Sequence, residues 1–348
     1  MNRHHGVACL PQGCPGINIV GAVRFPRASK LVYNCANATV SGSGKRAVVL
    51  LPGLGNNSQD YRAMSQALEE RGLRVQTAAV TRADWLRNAA GLRQIEYWKG
   101  ILQPRPVVDW YLERVDAAVK SAQEASDGPV TLLAHSAGGW LARVYLLGYG
   151  TRGIDRLVTL GSPHQAPPKD KGLVDQTRGI LTWVSENCPD NFHQHLAYVT
   201  VAGKWIKGAR LRGGEGTLAQ KLVGLGYQQV CGEAEVWGDG ITPLPAAHLQ
   251  GAEQITLDGV YHSPLGAGAD GSRPWYGSPR VIERWIRVVY DDKELDENYS
   301  VEVGDMVQHV RDRRSSGSAP ALRDTPGEDW AIQQRLAGLF LQDYICGD

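Results

Sequence analysis

The chain has 348 residues, of which 43% are hydrophobic, and its formal net charge is only +1. This length suits one large α/β domain with extensions, or two domains, and the near-neutral charge argues against nucleic acid as a partner of the whole chain. No apolar run approaches the roughly 18 residues that a membrane-spanning helix needs, so we expect a soluble or peripheral protein. The six cysteines include no C-x-x-C pair and no zinc-finger spacing, which predicts a reducing compartment, no metal and no cofactor.

Charge is distributed unevenly along the chain. Residues 1–59 carry six Lys or Arg and no acid, whereas residues 291–348 carry thirteen acids against six bases. An acid-free, basic N-terminus is typical of organellar transit peptides, so residues 1–44 are predicted to be a leader or transit segment, with a disordered N-terminus as the alternative. Residues 291–324 are predicted to be a charged linker. Residues 325–348 begin with the capping-box pattern Thr325-Pro326-Gly327-Glu328 and are predicted to form an amphipathic helix that docks on the domain. A helix that contacts a partner or a membrane surface is the alternative.

Between residues 45 and 290, short apolar runs alternate with helical stretches, which indicates βαβ units and a mostly parallel sheet with helices on both faces. The predicted strands cover residues 47–51, 74–80, 130–135, 154–160, 197–202, 234–237 and 253–257. The predicted helices cover residues 58–71, 107–125, 138–149 and 278–289.

Residues 165–229 interrupt this rhythm and are predicted to be a lid inserted over the top of the sheet, with one strand at 197–202. The segment contains prolines and a glycine-rich run beside large apolar residues, namely Leu181, Trp183, Val184 and Leu211. These side chains would suit a lid over an apolar substrate, and packing in the core is the alternative.

One predicted strand runs straight into a serine flanked by small residues. Ala134 and Gly138 lie two positions before and after Ser136, which gives a G-x-S-x-G pattern with alanine in the first place. Small residues there let the strand and the next helix pass closely on a strained turn that exposes the hydroxyl. The N–H of Ala137, at the start of that helix, could stabilise an oxyanion. Ser136 is therefore a candidate nucleophile, and a turn without a chemical role is the alternative, because the pattern also occurs by chance.

A glycine-rich loop, Pro52–Asn57, follows the first predicted strand. It lacks the G-x-G-x-x-G and G-K-[ST] patterns of nucleotide sites, so a phosphate site is disfavoured and a tight turn is one interpretation. If Ser136 is a nucleophile, the backbone N–H of Leu54 would supply a second oxyanion donor beside Ala137.

A serine nucleophile needs a base held by a carboxylate, and an α/β sheet supplies both from the ends of later strands in the order Ser, acid, His. Asp239 lies between two glycines at a predicted strand end, and His262 lies just beyond the next strand. Weaker candidates are His164 and His248 for the base, and Asp258 and Glu235 for the acid. This set predicts acyl transfer, in which Ser136 attacks an ester carbonyl and water then cleaves the acyl-enzyme.

The motifs that carry this chemistry are LPGLGNN at 51–57, AHSAGG at 134–139, GSPH at 161–164 and GDGITP at 238–243. As a set they resemble the α/β-hydrolase superfamily and, more narrowly, its lipase-like branch related to the GPI inositol-deacylases of plants, algae and cyanobacteria. The resemblance covers about residues 45–290.

The resemblance implies an α/β-hydrolase fold and lipase or esterase activity in this chain. It implies a triad of Ser136, Asp239 and His262 and an oxyanion hole formed by Leu54 and Ala137. The expected partner is an acyl ester or lipid substrate, with peripheral membrane contact and no nucleic acid, and a plastid location fits the leader. An acyltransferase with the same triad and a hydrolase-like protein that only binds a ligand are the alternatives.

Overall fold

The computed structural model describes residues 45–213, 215–265 and 273–290. The predicted leader, linker and C-terminal helix lie outside the described residues, so these three assignments stay predictions. The strands are β1 Ala47–Leu51, β2 Arg74–Thr77, β3 Val130–His135, β4 Ile154–Leu160, β5 Ala197–Lys204, β6 Ile206–Lys207, β7 Trp237–Gly238 and β8 Glu253–Asp258. The α-helices are α1 Arg62–Glu69, α2 Ile95–Lys99, α3 Asp109–Glu124, α4 Ala137–Tyr149, α5 Ile180–Asn187, α6 Leu218–Cys231, α7 Leu244–Ala247 and α8 Pro279–Ile282. Short 3₁₀ helices cover Ser58–Tyr61, Lys169–Lys171 and Ile286–Val289, and a longer one covers Arg82–Arg93.

Six strands form the main sheet in the order β2-β1-β3-β4-β5-β8, and every neighbouring pair is parallel. All five residues of β1 are buried, as expected for a central strand that is covered on both faces. Because successive side chains point to opposite faces, Val49 packs in one core with α3, α4 and α5, whereas Leu50 packs in a second core with α1 and α8. The predicted mostly parallel sheet with helices on both faces is confirmed.

The predicted lid is not one continuous insertion. The strand expected within it is present as β5, but it lies inside the main sheet, between β4 and β8. Leu181 and Val184 are 5% and 0% exposed and belong to the core, and Trp183 packs against that core. Core packing, the alternative interpretation, therefore applies to these three residues, while Leu211 is 51% exposed. Only the segments before and after β5 remain available to cover the sheet, and a lid function for them stays a prediction.

The sequence predicted that residues 234–237 form a strand of the main sheet, and this prediction is wrong. β7 contains only Trp237 and Gly238 and pairs antiparallel with β6, outside the main sheet. Glu233, Glu235 and Trp237 are exposed, which a strand buried on both faces would not allow.

Three further elements differ from the prediction. α6 was not expected, although Thr217 and Gln220 form a capping box at its start that marks a helix N-terminus. The predicted helix 278–289 is divided into α8 and the 3₁₀ helix Ile286–Val289. Between residues 80 and 107, where no helix or strand was predicted, the chain forms the twelve-residue 3₁₀ helix Arg82–Arg93 and α2. Within the described residues, no helix has the length and apolar character needed to cross a bilayer.

Candidate active site

Ser136 lies on a strained turn between β3 and α4. Its φ of 53° and ψ of −127° are unusual for a residue with a side chain. A Cβ on Gly138 would lie 2.7 Å from the carbonyl oxygen of Leu51, and one on Gly139 would lie 2.5 Å from the Cβ of Ser162. Glycine is therefore required at both positions for the helix to leave the strand at this angle, and the sharp turn presents the half-buried serine hydroxyl.

The three predicted catalytic side chains meet in one hydrogen-bonded line. The Nε2 of His262 lies 2.9 Å from the Oγ of Ser136, and its Nδ1 lies 2.7 Å from the Oδ2 of Asp239. Asp239 is 1% exposed and His262 is 2% exposed. An ionised carboxylate only accepts hydrogen bonds, so Nδ1 carries the proton and Nε2 is free to accept the serine proton. This is the geometry in which a serine hydroxyl is activated for attack on a carbonyl carbon.

The carboxylate of Asp239 is held by donors on both oxygens. The backbone N–H groups of Ile241 and Thr242 donate to Oδ1, at 3.0 and 2.7 Å. The hydroxyl of Tyr276 donates to Oδ2 at 2.8 Å and accepts from the N–H of Gly203 at 2.7 Å. Burial and the nearby Asp239 raise the pKa of Tyr276 well above its ordinary value, so the phenol keeps the proton that it donates. These contacts fix the orientation of the acid that faces His262.

Asp239 follows β7, yet its side chain lies over the ends of two strands of the main sheet. A Cβ on Gly161, just after β4, would lie 2.6 Å from Oδ2, and one on Gly203, near the end of β5, would lie 2.9 Å from the Cβ of Asp239. The hydroxyl of Thr242 donates to the carbonyl of Gly161 at 2.8 Å. Because Gly161 and Gly203 have no side chain, the side chain of Asp239 fits over these two strand ends and reaches His262.

His135 connects three parts of the site. The hydroxyl of Tyr61 accepts from the N–H of Gly53 at 2.9 Å and lies 2.7 Å from the Nδ1 of His135. The Nε2 of His135 lies 2.8 Å from the carbonyl oxygen of His262. A carbonyl only accepts, so Nε2 carries the proton and Nδ1 accepts from Tyr61. Burial, with a smaller effect of His262, lowers the pKa of His135 well below its usual value, which keeps the ring neutral.

Sequence reasoning missed Tyr61, Tyr276 and the bridging role of His135. Tyr61 is expected on a helix and Tyr276 lies outside every predicted element, so no local pattern connects them to Ser136 or Asp239. Their contribution depends on contacts between residues 74 and 37 positions apart. Such pairs become visible only in the folded chain.

The two predicted oxyanion donors lie on the elements that surround Ser136. The loop of Leu54 touches the serine turn, because a Cβ on Gly53 would lie 2.7 Å from the Cβ of Ser136. The N–H of Gly53 is bonded to Tyr61, which leaves the N–H of Leu54 as the next donor in the loop. Ala137 is the first residue of α4, where backbone N–H groups have no partner within the helix. The roles of Leu54 and Ala137 stay predictions.

The weaker candidates for base and acid are bonded elsewhere. His164 contacts the hydroxyl of Thr159 at 2.9 Å, and burial lowers its pKa well below the usual value. The two ring nitrogens of His248 each lie 3.0 Å from a threonine hydroxyl. Asp258 pairs with a lysine at 3.3 Å, and Glu235 pairs with an arginine at 2.7 Å. None of these four is hydrogen-bonded to Ser136, whereas His262 is, and His262 in turn contacts Asp239. The catalytic roles of Ser136, His262 and Asp239 stay predictions.

Among residues 45–213, 215–265 and 273–290, no three His, Cys, Asp or Glu side chains are grouped so that they could hold a metal ion. A groove of about 840 Å³ lies beside α6 and is lined by charged residues that include Lys171, Arg210 and Glu233. None of its lining residues is hydrogen-bonded to the side chains of Ser136 or His262, so the groove is not part of the hydrogen-bonded triad.

A parallel sheet covered by helices on both faces, with a strained serine turn after β3, defines an α/β-hydrolase fold. Residues 42–205 match the family model described as PGAP1-like alpha/beta domain, which confirms the resemblance predicted from the motifs. A lipase of Bacillus licheniformis in its mature form aligns with a TM-score of 0.44 and 14% identity, over 73% of this chain and 96% of the lipase. A carboxyl esterase from a metagenome aligns with a TM-score of 0.46 and 12% identity, over 72% of this chain and 76% of the esterase. No curated protein sequence matches this chain significantly.

Proposed function

We propose that the protein is a serine hydrolase that cleaves carboxylic esters of lipids through an acyl-enzyme. The observation that carries this proposal is the line from Ser136 through His262 to Asp239, with contacts of 2.9 and 2.7 Å and a buried acid. A hydroxyl, an imidazole and a carboxylate in this order form the unit that makes serine nucleophilic near neutral pH.

In the first step His262 accepts the proton of Ser136 while the serine oxygen bonds to the ester carbonyl carbon. The N–H groups of Leu54 and Ala137 stabilise the negative oxygen of the tetrahedral intermediate, each donor contributing roughly 3 kcal/mol. The C–O bond to the leaving alcohol then breaks, and His262 gives that alcohol the proton. In the second step His262 takes a proton from water as the water oxygen attacks the acyl carbonyl carbon. The bond to the Ser136 oxygen then breaks, His262 returns the proton to that oxygen, and the carboxylic acid is released.

The proposal is tested by labelling the purified protein with a fluorescent fluorophosphonate, which reacts with activated serines. We expect the wild type to be labelled and Ser136→Ala not to be labelled. Ser162→Ala is the matched control: Ser162 lies behind the turn, its buried hydroxyl has no hydrogen-bond partner among the described residues, and its removal should leave labelling intact. A folded wild type that neither labels nor hydrolyses any ester would refute the proposal and favour a protein that only binds its ligand.

The nature of the substrate is tested with p-nitrophenyl esters of increasing chain length. A lipid-ester hydrolase is expected to prefer medium or long acyl chains. The same reactions with a competing alcohol separate hydrolysis from acyl transfer, because a transferase would form a new ester in place of the free acid.

A plastid location is a separate proposal that rests on the acid-free composition of residues 1–59. Residues 1–44 fused to a fluorescent protein should carry it into plastids of a photosynthetic cell. Fluorescence confined to the cytoplasm would contradict this proposal.

A further inference from the structure

The 3₁₀ helix Arg82–Arg93 presents an apolar stripe to solvent. A 3₁₀ helix has three residues per turn, so side chains three apart stack in rows. One row, which contains Trp85, Asn88 and Gly91, is buried. The next row is apolar and exposed along its whole length, and consists of Ala83, Leu86, Ala89 and Leu92.

The apolar surface continues beyond this helix. Ile95, Trp98 and Ile101 are 58%, 52% and 60% exposed, and the indole N–H of Trp98 donates to the carbonyl of Leu92 at 3.1 Å. We use the name rim patch for the five large side chains Leu86, Leu92, Ile95, Trp98 and Ile101. The described residues contain twelve exposed large hydrophobic side chains, and five of them lie within this short segment. Single exposed apolar residues are normal on protein surfaces, whereas a concentration of this kind marks an interaction site.

The rim patch lies at the edge of the sheet that carries Ser136. The indole N–H of Trp85 donates to the carbonyl of Asn56 at 2.8 Å, which attaches the 3₁₀ helix to the loop of Leu54. On its other side, the N–H of Leu102 donates to the carbonyl of Arg178 at 2.8 Å. The segment therefore runs from the candidate oxyanion loop to the chain just before α5.

Two exposed basic side chains, Arg93 and Lys99, lie between the residues of the rim patch along the chain. Residues 82–105 contain five basic side chains, Arg82, Arg87, Arg93, Lys99 and Arg105, against two acids, Asp84 and Glu96. Three of the five basic side chains are paired with acids: Arg82 with Asp60 at 2.8 Å, Arg87 with Asp84 at 3.3 Å and Arg105 with Asp109 at 2.6 Å. Arg93 and Lys99 are exposed and are therefore the two cations that this surface offers to an anionic partner. Leucine, isoleucine and tryptophan interspersed with exposed cations have the chemistry of a segment that lies in the headgroup region of a membrane.

We propose that the rim patch is the face through which the protein rests on an anionic lipid surface. The apolar side chains enter the outer acyl region, Trp98 lies at the headgroup level, and Arg93 and Lys99 contact the anionic headgroups. A symmetric contact between two copies is disfavoured, since it would bring the same positive charges together. The benefit to catalysis rests on the proposed function, because the contact would bring lipid esters to Ser136, but lipid binding is measured independently of turnover.

The test uses the full chain with Ser136→Ala, so that no substrate is consumed, and sedimentation with vesicles of phosphatidylcholine alone or mixed with phosphatidylglycerol. The patch variant carries Leu92→Ser and Trp98→Ala, and the charge variant carries Arg93→Gln and Lys99→Gln. Phe192→Ala is the matched control, since Phe192 is 42% exposed but precedes the amino end of β5, at the opposite edge of the sheet. Circular dichroism and the unfolding midpoint verify that each variant is folded.

We expect the parent chain to bind the anionic vesicles and the patch variant to bind them about tenfold more weakly or worse. The charge variant should lose about 30-fold on anionic vesicles and little on neutral ones, and added salt should weaken the parent chain in the same way. The Phe192→Ala protein should bind like the parent.

A parent chain that binds neither vesicle, or a folded patch variant that binds as well as the Phe192→Ala control, overturns the proposal. A patch variant that still binds vesicles but converts a dimer to a monomer in light scattering would assign the surface to a second copy of the chain. Turnover of the soluble ester p-nitrophenyl butyrate by the wild type is measured separately. Its absence would refute the proposed function and leave the vesicle result intact.

Discussion

Tyr61→Phe removes one oxygen atom that serves two buried groups at once. The hydroxyl accepts from the N–H of Gly53 at 2.9 Å and donates to the Nδ1 of His135 at 2.7 Å, and Tyr61 is 0% exposed. Phenylalanine fills nearly the same space, so the change leaves two buried polar groups without a partner and no new cavity of note. A buried unsatisfied group costs about 1–3 kcal/mol, which predicts a loss of about 2–6 kcal/mol in the free energy of unfolding. Since a domain is typically stable by only about 5–15 kcal/mol, the effect should be large.

The assay is urea unfolding followed by tryptophan fluorescence, with the midpoint compared at a constant slope. Tyr145→Phe is the matched control, because the Tyr145 hydroxyl donates at 3.3 Å to Asp116, whose carboxylate is partly exposed. This hydroxyl should contribute less than about 1 kcal/mol to the free energy of unfolding. Tyr61→Phe should also lower kcat for a soluble ester, since Gly53 precedes the candidate donor Leu54. Equal midpoints for the two variants would refute the bridging role of Tyr61 between the loop and His135.

Three further changes test other parts of the site. Gly139→Ala should lower the free energy of unfolding by more than about 2 kcal/mol, because the new Cβ would lie 2.5 Å from the Cβ of Ser162. Gly226→Ala is the control: Gly226 lies in α6 with open space around it, so this change should be neutral or stabilising in thermal unfolding. Tyr276→Phe should lower kcat for a soluble ester about tenfold with KM unchanged, because the acid of the triad loses a donor; an unchanged kcat would contradict this role. Burial lowers the pKa values of His135 and His164 in the native state, so below pH ~6.5 the unfolded chain binds more protons than the native chain. The free energy of unfolding contributed by these two rings should therefore be present above that pH and fall by about 3 kcal/mol between pH 7.5 and 5.5. A flat unfolding midpoint over this interval would show that these rings are not kept neutral.

Much of the architecture follows from local pattern. The run Ala47–Leu51 is apolar at every position, and only a strand covered on both faces can bury it, which makes a central parallel strand predictable. The small residues around Ser136 are equally informative, since a helix can leave a strand so sharply only where Cβ atoms would not collide. Ser136 and His262 could be inferred because both follow strands of the parallel sheet, whose carboxyl ends lie at the same edge. Asp239 was selected as the end of a further sheet strand, but the strand before it is antiparallel and lies outside the main sheet.

Elements with ambiguous periodicity were predicted less well. Residues 197–202 were expected to be a strand, but nothing in their composition distinguishes a strand of a lid from a strand of the main sheet. The segment before Asp239 resembled a sheet strand, yet β7 is short and pairs with β6 instead. The 3₁₀ helix Arg82–Arg93 was not predicted, because 3₁₀ helices longer than three or four residues are uncommon and their three-residue period differs from that of an α-helix or a strand.

The sequence by itself determined the parallel sheet, the serine turn and the identity of the three candidate catalytic residues, because these depend on residue type and on spacing along the chain. Only the tertiary structure decided how the three are held. The donors to Asp239 and the link from Gly53 through Tyr61 and His135 to His262 join distant segments. Such contacts depend on the distance between atoms in space, and the free energy of burying them is gained only when the sheet has brought its strand ends together.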